Sequence, residues 1–216
     1  MKKEYKLIIF DLDGTLADTS RGILDSHKHT LVAMGKEEPT DKELDGIIGG
    51  PLLKTYINRF GFNEEDANTA INIYRKFYAT NGVLGVELYD NMAEVLKQLN
   101  AKGYKCAVAT LKAENLAYVV LANLGIKDEF LIIHGVDSKD TLTKSDLINM
   151  CINESGVSKS EAILVGDSYH DMNGAKEVGI DFLAVTYGFG LKKQEEISDP
   201  YIVNIVDKPN DLLHIF

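Results

Sequence analysis

The chain has 216 residues, of which 45% are hydrophobic and 26% are charged, and its formal net charge is −10. This length allows one domain with a sizeable core, or a core domain that carries a smaller insert. The acidic balance disfavours a nucleic-acid partner, because there is no basic surplus to displace counterions from a phosphate backbone.

The cysteines and the apolar segments bear on location. Cys106 and Cys151 are far apart in the sequence and lie in apolar surroundings, which predicts packing residues in a reducing compartment. No segment approaches the roughly 20 apolar residues of a membrane span, and the N-terminal apolar stretch is shorter than the core of a signal peptide. We therefore expect a cytoplasmic protein without a membrane partner.

The first predicted element is a short apolar strand at 6–10, which ends at two acids one residue apart, Asp11 and Asp13. An Asp-Gly turn explains Asp13 and Gly14, but it gives no reason for Asp11. Like charges this close raise each other's pKa and cost stability unless a cation or a reacting group lies between them. The spacing therefore indicates a functional site, and Gly14 and Thr15 allow the chain to turn sharply there.

The next strand-like run starts only at Lys105, and the gap before it is longer than one crossover needs. Helical patterns fill this gap, with a loop at 49–51. The sequence predicts a helical cap domain at 18–80, inserted into an α/β core domain formed by residues 1–17 and 81–216.

Four more apolar runs follow, at 105–110, 130–135, 162–166 and 182–188. Each is continuously hydrophobic rather than alternating, as expected for parallel strands covered on both faces. Helical patterns separate them, for example at 112–125 and 143–156. The order predicts a doubly wound, Rossmann-like parallel sheet.

Ligands of such sheets bind beyond the carboxyl ends of the strands, where this chain places acids, a hydroxyl group and a lysine. Asp11 and Asp167 follow two different strands, and carboxylates of this kind suit Mg²⁺ that also contacts substrate phosphate. Thr110 and Lys144 are candidate partners for the phosphoryl oxygens. Backbone N–H groups of the turn after Asp11 are candidate additional donors.

The two acids of the first turn suggest a division of roles. One acid, held on the metal and ionised, attacks phosphorus and forms an aspartyl phosphate. The other carries a proton to the leaving oxygen and later takes one from water.

Four segments resemble, in order, the motifs of haloacid dehalogenase-like phosphatases: "DLDGTLADT", "VATLK", "TK" at 143–144 and "GDSYHD". The resemblance covers nearly the whole chain and is closest to the phosphoglycolate phosphatase-like branch. It implies Asp11 as nucleophile and Asp13 as general acid and base. It also implies that Thr110 and Lys144 bind phosphate. The implied Mg²⁺ ligands are Asp11, the Asp13 main-chain carbonyl and Asp167, with Asp171 in a supporting position.

Two features depart from the family pattern: Leu111, and the segment "SDL" after Lys144, which lacks the proline common elsewhere in the family. Leu111 stands where a small polar residue or Asn is expected.

The inserted helices offer candidates for recognising the rest of the substrate. We expect a mobile cap that excludes water, with Lys54 as the candidate substrate contact and Arg21 and Arg59 as alternatives. No histidine pair has metal-ligand spacing, so we expect the histidines at the surface or on polar helix faces, His27 and His29 on different sides of one helix.

The activity implied by the resemblance is Mg²⁺-dependent hydrolysis of phosphate monoesters of small metabolites. A phosphomutase resembling β-phosphoglucomutase remains an alternative, because the same core can return the phosphoryl group to a sugar. A phospho-accepting signalling domain and a catalytically silent binding protein are more remote. A dehalogenase is disfavoured, because carbon–halogen displacement needs no protonating acid at position 13.

Overall fold

The computed structural model describes residues 4–137, 141–191, 199 and 201–216. Residues 1–3, 138–140, 192–198 and 200 of the predicted core domain lie outside the described residues. The main sheet has six parallel strands in the order β5-β4-β1-β6-β7-β8. Their bounds are Leu7–Phe10 (β1), Lys105–Ala113 (β4), Ile132–Val136 (β5), Ala162–Gly166 (β6), Asp181–Val185 (β7) and Ile202–Val206 (β8).

A second, two-stranded antiparallel ribbon joins Ala17–Asp18 (β2) to Glu87–Leu88 (β3). The helices are Ser20–Ala33 (α1), Asp41–Leu44 (α2), Leu52–Phe60 (α3), Glu64–Thr80 (α4), Met92–Ala101 (α5), Glu114–Asn123 (α6), Lys144–Ser155 (α7), Tyr169–Val178 (α8) and Leu212–Ile215 (α9). Within the described ranges, no helix combines the length and apolar character that crossing a membrane requires.

Helices cover both faces of the sheet, which explains the continuously apolar strands. Ile8 and Phe10 of β1 belong to one buried cluster with residues of α5 and α6. Leu7 and Ile9 point to the other face and pack with residues of α7 and α8. The predicted doubly wound sheet is confirmed.

Three details of the sheet differ from the sequence-based expectation. β4 runs three residues past Thr110, so α6 begins only at Glu114. β7 ends at Val185 rather than at 188. β8 was not predicted, because its run is short and partly exposed at the sheet edge, which weakens the hydrophobic pattern.

Three helices between β2 and β3, namely α1, α3 and α4, pack on one another. α1 and α3 both contact α4, and the chain leaves and re-enters the core through the β2–β3 ribbon. This arrangement supports the proposed division into a core and an insert, whose boundaries at 18 and 80 stay a prediction.

His27 contradicts the expectation of a surface position, because it is 1% exposed. Its Nδ1 lies 3.2 Å from the Tyr56 hydroxyl, and its ring packs 4.7 Å from the Tyr74 ring centroid. The neighbouring His29 is exposed and stacks on Phe77, so the two do lie on different sides of α1. Burial of His27 among aromatic rings lowers its pKa to about 3.

The burial of His27 predicts acid sensitivity. Because its folded pKa lies below its ordinary value, its contribution to stability is present above about pH 6.5 and is lost as the pH falls toward 3. We expect the wild type to lose about 2 kcal/mol more unfolding free energy than His27→Gln between pH 7 and pH 5. Urea unfolding at both pH values measures this, with His29→Gln as the control at an exposed position. An equal loss in the wild type and His27→Gln would contradict the assignment.

Candidate active site

The residues that the sequence analysis selected from different strand ends come together at one edge of the sheet. Asp11 follows β1, Thr110 lies in β4, Lys144 opens α7, and Asp167 follows β6. Each is at most 7% exposed. A cavity of about 10 Å³ adjoins the first three of these residues and is lined by Asp11, Asp13, Gly49, Thr110, Leu111, Lys144, Ser168 and Asp171.

Lys144 joins two of the acids. Its Nζ donates to Asp11 Oδ1 at 2.6 Å and lies 2.6 Å from Asp171 Oδ1. Burial alone would lower the pKa of Lys144, but the two carboxylates outweigh this effect and raise it. Lys144 therefore stays charged and is held beside the carboxylate of Asp11.

The position of Lys144 follows from the start of α7. Thr143 is the N-cap, and it forms a capping box with Asp146, in which each side chain accepts from the other residue's backbone N–H. This cap fixes the first turn of the helix. The first helical residue, Lys144, is thereby placed against the end of β1.

The position of Asp171 likewise follows from the start of a helix, and its carboxylate makes two kinds of contact. Its Oδ2 accepts from the backbone N–H and the hydroxyl of Ser168, at 3.1 and 2.6 Å, in the capping box of α8. Its Oδ1 faces Lys144. Asp171 therefore belongs to the capping box of α8, whose N-cap is Ser168, and also contributes a carboxylate to the site.

Three buried carboxylates converge beside Lys144. Oxygen atoms of Asp11, Asp167 and Asp171 lie within 4.8 Å of one another. Burial, opposed by Lys144 and reinforced by the neighbouring acids, raises the pKa of Asp11 to about 8. Burial and Asp171 raise the pKa of Asp167 to about 7, although it accepts from two backbone N–H groups, those of Phe189 and Gly190.

This cluster fits a divalent cation. Clustered carboxylate oxygens suit Mg²⁺, and a cation among them would offset the repulsion that the raised pKa values reflect. The Asp13 side chain lies outside the cluster, which agrees with a role that does not depend on its carboxylate holding a metal. Its main-chain carbonyl as a ligand stays a prediction.

Gly14 permits the close approach of the first turn to Asp167. Its φ is +85°, and a Cβ at this position would lie 2.3 Å from Asp167 Oδ2. The backbone N–H groups of Gly14 and Thr15 already donate to Ala17 and Leu12 carbonyls within the turn. They are not available for a phosphoryl group, so that part of the expectation is wrong for these two residues.

Lys112 is a site residue that the sequence analysis missed. Its Nζ lies 3.1 Å from Asp13 Oδ1 and 4.2 Å from the ring centroid of Tyr78 on α4. The side chain is 6% exposed. Burial would lower its pKa, but Asp13 and Tyr78 outweigh this effect and raise it.

The irregular end of β4 accounts for this placement. The register with β5 shifts between Thr110 and Ala113, and the Lys112 N–H donates to Thr110 Oγ1 at 3.2 Å. The available signal was a lysine two residues after Thr110. Lysines are mostly exposed, and only the fold brings Tyr78 across to cover this one.

The three candidate residues of the inserted helices have different surroundings. Lys54 is exposed and lines an open cleft with Thr143, Lys144 and His170, so its role as a substrate contact stays a prediction. Arg59 donates to the Glu43 carbonyl at 2.9 Å and to the Asp45 carbonyl. Arg59 thus has a structural role at the end of α2, and Arg21 is exposed on α1.

Comparison with known proteins places this geometry in a family. The sequence pattern of haloacid dehalogenase-like hydrolases matches residues 8–185. The chain is 32% identical to a 5'-nucleotidase of Pseudomonas aeruginosa, covering 91% of this chain and 89% of that protein. It is 35% identical to the tyrosine-protein kinase PtkA of Mycobacterium tuberculosis, covering 86% of this chain and 63% of that protein.

The fold agrees with that assignment. A predicted phosphatase from Clostridium acetobutylicum, solved by crystallography, superposes with a TM-score of 0.90 at 30% identity. The match covers 97% of this chain and 96% of that one. The chain belongs to the haloacid dehalogenase-like hydrolases and is a phosphatase of that family.

Proposed function

We propose that this protein is a Mg²⁺-dependent phosphatase that hydrolyses phosphate monoesters of small metabolites through an aspartyl phosphate on Asp11. One observation carries the proposal: the buried Asp11 carboxylate contacts Lys144 at 2.6 Å and shares its site with two further acids, while Asp13 lies apart from that cluster. The phosphoglycolate phosphatase-like branch is the proposed relationship within the family.

The residues divide the reaction into two steps. In the first, an Asp11 carboxylate oxygen attacks phosphorus, the bond from phosphorus to the leaving oxygen breaks, and the Asp13 carboxyl gives its proton to that oxygen. In the second, water attacks the phosphoryl group and gives a proton to the Asp13 carboxylate. The bond to Asp11 breaks, and inorganic phosphate leaves.

The other residues hold the phosphoryl group during both steps. Lys144 supplies a buried positive charge, and Thr110 lines the same cavity. Asp11 and Asp167, together with the Asp13 carbonyl, would hold Mg²⁺, with Asp171 in support. When bound, the ion supplies charge neutralisation for the phosphoryl oxygens.

Metal dependence is a direct test of this assignment. We expect phosphate release from small phosphate esters to stop in EDTA and to return with Mg²⁺. Asp167→Asn should raise the Mg²⁺ concentration for half-maximal activity by at least roughly 10- to 100-fold, because it removes the charge of a proposed ligand, and loss of a group that only supports a ligand already costs about this much.

Phosphate release measured against Mg²⁺ concentration gives this value. Asp128→Asn is the matched control, since Asp128 is exposed and remote from the cluster. Full activity without a divalent cation would contradict the proposed cofactor. Isomerisation of a hexose phosphate without phosphate release would instead favour a phosphomutase, and a stable phosphorylated protein without turnover would favour a signalling domain.

A further inference from the structure

A second cavity adjoins the small cavity beside Asp11, Thr110 and Lys144 and extends toward the inserted helices. Asp13, Gly49 and Leu111 line both cavities. Since Asp13 is the proposed proton donor to the leaving oxygen, the part of the substrate beyond that oxygen lies in this second cavity, called here the leaving-group cavity. The apolar Leu111, unusual for the family pattern, forms part of its wall.

The leaving-group cavity is small. Its volume is about 50 Å³, whereas one water needs roughly 10–15 Å³ of comparable space. A leaving group of about four non-hydrogen atoms fills such a space. A nucleoside or a protein segment does not fit within it.

Two cationic side chains line this cavity, Lys112 from β4 and Arg75 from α4. His27 also lines it but carries no charge at neutral pH, because burial lowers its pKa to about 3. The remaining wall is largely aromatic and aliphatic. An anion entering this space is therefore met by cations in surroundings that screen charge poorly.

The contacts of Lys112 leave it donor capacity. An ammonium group carries three N–H donors. The described contacts of Lys112 Nζ are one carboxylate oxygen, from Asp13, and the Tyr78 side chain. A bound anion on the cavity side can therefore share the ammonium with Asp13.

We propose that Lys112 is a specificity-determining residue that, with Arg75, binds an anionic group on the leaving group of the substrate. The inference rests on the proposed phosphatase function and deepens it. The preferred substrates are small phosphate esters or anhydrides whose leaving group carries a carboxylate or a second phosphoryl group. Lys112 then both contacts the proposed general acid, Asp13, and selects the substrate.

Two substrates of nearly equal size test this directly. 2-Phosphoglycolate and 2-hydroxyethyl phosphate differ only in a carboxylate against a hydroxymethyl group. We expect the wild type to favour 2-phosphoglycolate in kcat/KM by roughly 10- to 100-fold, the range for a hydrogen bond to a charged group. Lys112→Met should reduce that ratio to near one, and Lys112→Arg should retain most of it.

Inorganic pyrophosphate, tested in parallel, tells the two sources of the anion apart. If Lys112→Met loses the preference for pyrophosphate over 2-hydroxyethyl phosphate, the recognised anion is a phosphoryl group. If it loses the preference for 2-phosphoglycolate over 2-hydroxyethyl phosphate, the recognised anion is a carboxylate. Lys76→Met, on the exposed side of α4 beside Arg75, is the matched control and should leave all ratios unchanged.

An equal fall in kcat/KM for charged and neutral substrates in Lys112→Met overturns the proposal, because a residue that only positions Asp13 affects both kinds of substrate alike. A wild type that releases phosphate from 2-hydroxyethyl phosphate as readily as from the anionic substrates overturns it as well, while leaving the phosphatase function intact. Release from none of these substrates, nor from p-nitrophenyl phosphate, refutes the proposed function itself. Should Lys112→Met not fold, Arg75→Gln must lower the same ratios.

Discussion

Replacing Asp11 with Asn should abolish turnover, with a loss of about 10⁴-fold or more in kcat. The amide is a poor nucleophile and a weaker metal ligand, so both proposed functions of the side chain disappear together. The fold should persist, because Lys144 keeps its 2.6 Å contact with Asp171 and because one of three mutually repelling buried acids is removed. Phosphate release and thermal unfolding of the same preparation measure the two effects.

Asp25→Asn is a suitable control for this experiment, since Asp25 is exposed on α1. It should leave both the rate and the melting temperature unchanged. Full activity of Asp11→Asn would remove Asp11 from the role of nucleophile. An inactive Asp11→Asn that is also unfolded would contradict the structural part of the expectation.

Replacing Asp13 with Asn should lower the rate in a manner that depends on the leaving group. Alkyl phosphates leave as basic alkoxides and need a proton, so we expect a loss of roughly 10²- to 10⁴-fold, the usual contribution of general acid–base catalysis. p-Nitrophenyl phosphate leaves as a weakly basic phenolate, and its first step should be affected far less.

Single-turnover rates for both substrates make the comparison, because they isolate the step in which the leaving group departs. An unchanged rate on the alkyl phosphate would rule out the acid role. An equal loss on both substrates would point instead to a general distortion around Lys112, which contacts Asp13 at 3.1 Å. Comparing the melting temperatures of Asp13→Asn and wild type identifies such a distortion.

The sequence predicted the convergence of the site because the carboxyl ends of parallel strands lie at the same edge of the sheet. Asp11, Thr110 and Asp167 are each placed at or near the end of a continuously apolar run, and neighbouring strands bring those ends together. Lys144 could be predicted for a related reason, since the Thr143–Asp146 cap pattern marks the start of a helix at the same edge.

What the sequence did not predict depends on contacts between distant segments. Lys112 becomes a buried site residue only because Tyr78, from the inserted helices, covers it. His27 is buried for the same kind of reason, by Tyr56 and Tyr74 of neighbouring helices. The N–H groups of Gly14 and Thr15 are occupied within their own turn, a local geometry that composition does not reveal.

The central claim is a phosphoryl group carried covalently by Asp11, and chemical trapping tests it most directly. The enzyme is quenched in acid during turnover of a small phosphate ester with Mg²⁺, digested, and examined by peptide mass spectrometry. The account predicts a phosphorylated peptide that contains Asp11, with no such peptide from Asp11→Asn. A phosphoryl group found on a different residue, or a wild-type enzyme that turns over rapidly while Asp11 stays unmodified under conditions that trap acyl phosphates, would contradict it.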